Sequence, residues 1–120
     1  MGAKVISFIY GKVIAREEMR VSGYEHMLII KPLYEDNIIY LLAHLSEEKR
    51  AKKDDFVAPG EEVAQLGSGQ FSPHLHLSVL RTDKVEKDDI IKKEGDAYEW
   101  KETPIYVDPF NHTIRLQGGS

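Results

Sequence analysis

The chain has 120 residues, five histidines and no cysteine, with 16 basic against 20 acidic side chains and a net charge of −4. That length fits one domain and not two, and the composition excludes disulfide staples and thiolate-rich metal sites. With no basic-aromatic stripe and no apolar run near the ~20 residues of a membrane helix, neither nucleic acid nor a membrane span is expected.

In chain order, β signals dominate. Lys4–Tyr10 and Lys12–Ala15 are short β-branched and aromatic runs on either side of Gly11, which predicts a hairpin or tight bend there. His26–Lys31 follows the turn residues Ser22-Gly23-Tyr24, and Pro32–Asp36 predicts a second turn. Asn37–Leu45 is apolar at both alternating phases, the pattern of a strand buried on both faces. Ser46–Phe56 is charged and predicts one or two helical turns. Within it, Lys49-Arg50-Ala51-Lys52-Lys53 runs into Asp54-Asp55 and reads as a solvated loop. Val57–Gly60 is a turn, Val63–Leu66 a short strand, and Gly67–Gly69 a flexible loop. Pro73–Leu80 is the last clear core strand. Thr82–Asp96 reads as a charged loop with a helical turn, Tyr98–Trp100 and Pro104–Val107 as edge segments, and Asp108-Pro109-Phe110 as the close of the fold.

About seven short strands divided by Gly/Pro turns argue for an all-β fold, an antiparallel sandwich or barrel-like sheet with little helix. Residues 1–116 read as one domain and 117–120, Gln-Gly-Gly-Ser, as a linker scar. The start, which enters a strand pattern within a few residues, suggests a domain truncated at its N-terminus. No signal peptide is visible.

The residues able to carry chemistry are histidines. His74 and His76 are two apart on a predicted strand, so they project to one side, roughly 6–7 Å apart along it. Paired neutral imidazoles suit a metal ligand beside a proton-handling group. Read from residues alone, two satisfied polar side chains at a sheet edge fit as well. His44 ends an apolar strand, where a polar group is costly unless it has a partner or faces a cleft. His26 and His112 lie near turn signals and read as surface residues. Gly67-Ser68-Gly69 has the spacing neither of a phosphate-binding loop nor of a nucleophile elbow.

Three segments then fall in a recognisable order: Tyr40-Leu-Leu-Ala43-His44-Leu45, Val57-Ala-Pro-Gly60-Glu-Glu-Val63-Ala-Gln-Leu66-Gly67, and Ser72-Pro73-His74-Leu75-His76-Leu77. Together they resemble the lysostaphin/LytM-type zinc endopeptidases. Upstream, Gly2–Val5 with Gly11-Lys12-Val13, and Ser22–Tyr24 with Leu28–Ile30, resemble that family's opening strands. Val107-Asp108-Pro109 resembles its close. The resemblance spans residues 2–110, and Pro-His-Leu-His is its most specific part.

The resemblance implies the β-sheet core of that peptidase family, the duplicated hybrid motif kind, and a family activity of hydrolysing peptidoglycan cross-bridge peptides in the cell envelope, periplasmic or extracellular. It implies zinc as the family cofactor, His76 as a metal ligand, and His74 and His44 as catalytic histidines. One departure matters most. The family draws two further zinc ligands from a His-x-x-x-Asp element, and no such element occurs in these 120 residues. The expectation is therefore a peptidase-like domain that binds zinc weakly or not at all and is inactive as this chain. An alternative is a non-catalytic domain that binds peptidoglycan peptides or a protein partner. A third reading, a phosphotransferase IIA-like domain with a phospho-histidine, sits poorly with the Pro-His-Leu-His pair.

Overall fold

Ile-Ile-Tyr-Leu-Leu-Ala at 38–43 is apolar at every position, so a strand there must be covered on both faces. A computed structural model, which describes residues 3–20, 25–67 and 75–107, shows how. The strands are β1 (Lys4–Ile6), β2 (Gly11–Ala15), β3 (Leu28–Pro32), β4 (Ile38–Ala43), β5 (Leu45–Arg50), β6 (Phe56–Val57), β7 (Glu62–Leu66) and β8 (His76–Arg81). A single-turn helix α1 (Lys87–Ile90) follows, then β9 (Ile91–Glu94), β10 (Ala97–Trp100) and β11 (Tyr106–Val107). They form a six-stranded sheet in the order β11-β8-β4-β3-β2-β6, a three-stranded sheet β1-β7-β5, and the hairpin β10-β9. All pairings between these strands are antiparallel. The all-β expectation holds.

The two faces of β4 serve two cores. Tyr40 and Leu42 point between the six- and three-stranded sheets, with Val13, Leu28, Ile30 and Val79 from the one and Val5, Val63 and Ala64 from the other. The Tyr40 ring is fully buried, meets Phe8 edge-on at 5.4 Å, and its hydroxyl donates to Glu35 Oε1 at 2.6 Å, so its polar tip is satisfied. Ile39, Leu41 and Ala43 point the other way. There they pack with Met27, Ile29 and Leu80 under Ile90 and Ile91, flanked by Tyr98 and Trp100. The helical turn and hairpin of residues 87–100 thus form a third layer.

That layer is tied down by polar contacts as well. The Arg20 and Tyr98 amides donate to Tyr98 and Glu18 carbonyls at 2.9 and 2.8 Å. Arg20 pairs with Glu99 at 3.1 Å, and Lys87 pairs with Glu17 at 3.1 Å. Burial opposes the charge on Lys87, but its hydrogen bond to Glu17 and the charges of Glu17 and Tyr98 outweigh this and hold its pKa above the usual lysine value.

Several local expectations need correction. Ser46–Phe56 holds no helical turn: its first part is β5, paired with β7 from Leu45↔Leu66 to Arg50↔Ala64. Strand pairing with a segment 14 to 21 residues away is not visible to local pattern. Nor is Lys49–Lys53 wholly solvated, because the Arg50 side chain is 1% exposed. Gly11 makes no bend but begins β2. A Cβ there would lie 2.6 Å from Ile30 Cγ2, so close packing of β2 on β3 requires glycine. Residues 82–96 do contain the expected helical turn, but Ile91–Glu94 is a strand of the hairpin. Asp108-Pro109-Phe110 and the boundary at 116 lie outside the described residues.

Candidate functional site

β4 and β8 are neighbours with Leu41 opposite Ser78 and Ala43 opposite His76. Directly opposed residues share a face, so His76 and Ser78 lie on the hairpin-covered side of the six-stranded sheet, in phase with Leu41 and Ala43. Strict alternation would send His44 to the opposite side, with Tyr40 and Leu42. The backbone prevents this. His44 has φ 64°, in the left-handed region, and this one residue resets the phase of the chain. Leu45, which would otherwise continue the Ala43 face, instead joins Leu42 in the core between the sheets. The His44 ring comes to 5.6 Å from that of His76, centroid to centroid, at an interplanar angle of 72°. Both rings are half-buried.

Two further groups hold this geometry. Ser78 Oγ lies 2.9 Å from His76 Nε2 and Ser78 is itself buried, so the imidazole is oriented from its own strand. The Gly67 amide donates to the His44 carbonyl at 2.9 Å. A Cβ on Gly67 would sit 2.8 Å from the Leu45 carbonyl oxygen. Gly67, read from sequence as part of a flexible loop, is thus required by the close approach of β7's end to the His44 turn. Ser78 was missed, although a polar residue two beyond His76 on a strand was the available signal.

A left-handed residue other than glycine carries about 1–2 kcal/mol of steric cost. His44→Gly is therefore expected to be more stable than His44→Ala by about 1 kcal/mol, the reverse of the usual order in a strand. Urea unfolding of the two variants tests this, and an alanine variant equal to or more stable than the glycine variant would contradict the left-handed turn.

His74 and His112 lie outside the described residues, so of the three expected site histidines the structure brings together His44 and His76. His26 is not the plain surface residue expected. It is half-buried, with Nδ1 2.7 Å from Glu18 Oε2, and its carbonyl accepts from the Leu45 amide at 3.1 Å. A depression of about 200 Å³ bordered by Ile39, Leu80, Trp100 and Ile105 touches neither His44 nor His76.

A catalytic zinc needs three protein ligands at about 2.0–2.2 Å. Among the described residues, no third metal-capable side chain joins His44 and His76. The group of three that does occur is Glu18, His26 and Glu47. The described residues do not fit a zinc centre at the histidine pair.

A two-sheet antiparallel sandwich, with histidines gathered where two neighbouring central strands end, defines a peptidase-like β domain of the lysostaphin class. The sequence model of Peptidase family M23 matches residues 1–92, and the chain belongs to that family. The match ends inside β9, so β10 and β11 lie beyond it. The fold is similar to the solution structure of lysostaphin, with a TM-score of 0.57 and 21% identity over 73% of this chain and 35% of lysostaphin. It is also similar to a point variant of the catalytic domain of the prophage-encoded M23 protein EnpA from Enterococcus faecalis, with a TM-score of 0.51 and 24% identity over 72% of this chain and 68% of that one. The chain spans about a third of lysostaphin. No curated protein matches the sequence. No helix among the described residues is long and apolar enough to cross a membrane.

Proposed function

We propose that this chain is an M23 domain that recognises peptidoglycan cross-bridge peptides at the His44–His76 edge of its large sheet and, as this chain, does not hydrolyse them. The observation that carries the reading is the histidine pair itself. Two half-buried imidazoles 5.6 Å apart, held by a strained turn and a buried serine, form a polar patch at the end of a largely apolar sheet face. A strained backbone beside paired polar side chains is a feature found at binding and catalytic sites.

Imidazole can donate to a peptide carbonyl or accept from a peptide amide, and it moves protons near neutral pH. His44, with His74 from the segment before β8, corresponds to the proton-handling histidines of the family resemblance, and His76 to a metal ligand. Hydrolysis needs more than these. In metallopeptidases the attacking water is acidified by a metal held on three protein ligands, and the described residues supply His76 alone from that set. A protein partner for the same histidine pair is the alternative, and the cell envelope is the compartment this reading implies.

The test is calorimetry and nuclear magnetic resonance on this chain with a synthetic cross-bridge peptide, and a hydrolysis assay on purified peptidoglycan with added zinc. The peptide should shift the His44 and His76 ring resonances, and no new amino groups should appear. Zinc-dependent release of amino groups, lost in His76→Ala, would make the chain a working peptidase. A peptide that leaves both rings unshifted would remove the recognition role.

A further inference from the structure

The three metal-capable side chains that the fold brings together stand apart from the histidine pair. Glu18 and His26 face each other in an isolated antiparallel bridge just before β3, and Glu47 comes from β5. One ligand atom from each lies within 4.8 Å of the other two. We propose that Glu18, His26 and Glu47 form a binding site for a divalent transition metal of the zinc or manganese class. The proposal does not rest on the function proposed above.

More than proximity supports it. The donor set is one imidazole and two carboxylates, a mixture suited to borderline divalent metals. The cluster is also built from behind. Arg50, with a side chain 1% exposed, donates from Nη2 to Glu18 Oε1 at 3.1 Å. Its Nε donates to the Glu47 carbonyl at 3.0 Å, and its Nη1 to the Met27 carbonyl at 2.9 Å. Arg16 Nη2 also reaches the Glu47 and Glu48 carbonyls, at 3.4 and 3.2 Å. Backbone on both sides of the cluster is thereby fixed, and both oxygens of Glu18 face a buried donor, with Arg50 Nη2 at 3.1 Å from Oε1 and 3.4 Å from Oε2. This is the outer-shell arrangement that orients ligating carboxylates. The Arg50 charge is paired with Glu18, so the charge left to balance an ion comes from the Glu47 carboxylate, with the His26 imidazole as a neutral donor beside it.

Ligand atoms around a four-coordinate ion at about 2.1 Å are roughly 3.4 Å apart. Glu18 Oε2 and His26 Nδ1, now 2.7 Å apart, need to open slightly as the shared proton is replaced. Glu47 is exposed and free to close by rotation about its side-chain torsions. Its three ligands come from separate stretches of chain, so a bound ion would clip the bridge before β3 to β5.

This site is on the other side of the large sheet from the histidine pair. His26 is in phase with Leu28 and Ile30, which face the core between the sheets, whereas Met27 and Ile29 face the hairpin. His76 lies on the hairpin side by its register with Ala43. Metal binding at the two places is therefore separable by mutation.

The test is calorimetry with zinc chloride and with manganese chloride on the metal-free chain, alongside thermal unfolding. One equivalent should bind and raise the melting temperature. His26→Ala and Glu47→Gln should each weaken binding at least tenfold and abolish the melting shift, while His44→Ala and His76→Ala retain both. Glu47→Gln is an exposed change that leaves the fold intact, so its result does not depend on how well His26→Ala folds. Absence of saturable binding, or binding that survives Glu47→Gln and is lost in His76→Ala, would overturn the assignment.

Discussion

Replacing Arg50 by leucine is expected to destabilise the fold by about 2–4 kcal/mol, the range for leaving two carbonyls without their donor. The guanidinium makes hydrogen bonds to the Met27 and Glu47 carbonyls and an ion pair with Glu18. Leucine fills most of the space but donates nothing. The Met27 carbonyl then loses a buried partner, at about 1–3 kcal/mol for each group left unsatisfied. Glu18, with a side chain 39% exposed, keeps access to water and adds less. Lysine restores the charge but not the forked geometry that reaches three acceptors at once, so Arg50→Lys recovers part of the loss. Glu18→Gln, by contrast, is expected to cost about 1 kcal/mol, because Arg50 retains its carbonyl partners. Urea midpoints for the three variants decide the matter. A loss below 1 kcal/mol in Arg50→Leu would mean that Arg50 lies in a solvated loop, as the run of charges around it suggests.

Leu41→Ala is expected to cost about 2–5 kcal/mol, the range for truncating a buried leucine. Leu41 is fully buried on the face that Ile90, Ile91 and Trp100 cover. The size of the effect depends on that cover. If residues 87–100 were a loosely attached excursion, the Leu41 side chain would face solvent and its removal would cost less than 1 kcal/mol. A large effect would show that the hairpin is part of the cooperative core, even though the family match stops at residue 92. Hydrogen exchange adds a local readout. The Tyr98 amide, bonded to the Glu18 carbonyl at 2.8 Å, should exchange faster in the variant as the layer loosens.

What the sequence determined by itself is the sheet and half of the site. Asn37–Leu45 is apolar at both alternating phases, the pattern of a strand covered on both faces, Pro73–Leu80 reads as a core strand, and the two-residue period puts His74 and His76 on one side. The ordered motifs around His44, Gly60, Gly67 and His76 point to the M23 family. Local pattern stops short wherever the deciding contact is distant in the chain. Ser46–Arg50 has the charge of a solvated helix, yet it is a strand because β7 offers it a ladder, and its arginine is buried because the carbonyls of Met27 and Glu47 close around it. His26 has the surroundings of a surface turn, yet Glu18 meets its ring across a bridge between segments. Alternation alone puts His44 on the wrong face. The left-handed turn that brings it to His76 exists because β4 must leave the large sheet and enter the small one within a single residue, with Gly67 closing against the backbone behind it. A period of two tells which residues share a face of one strand. Only the packed structure decides what lies over that face and where the chain breaks the period.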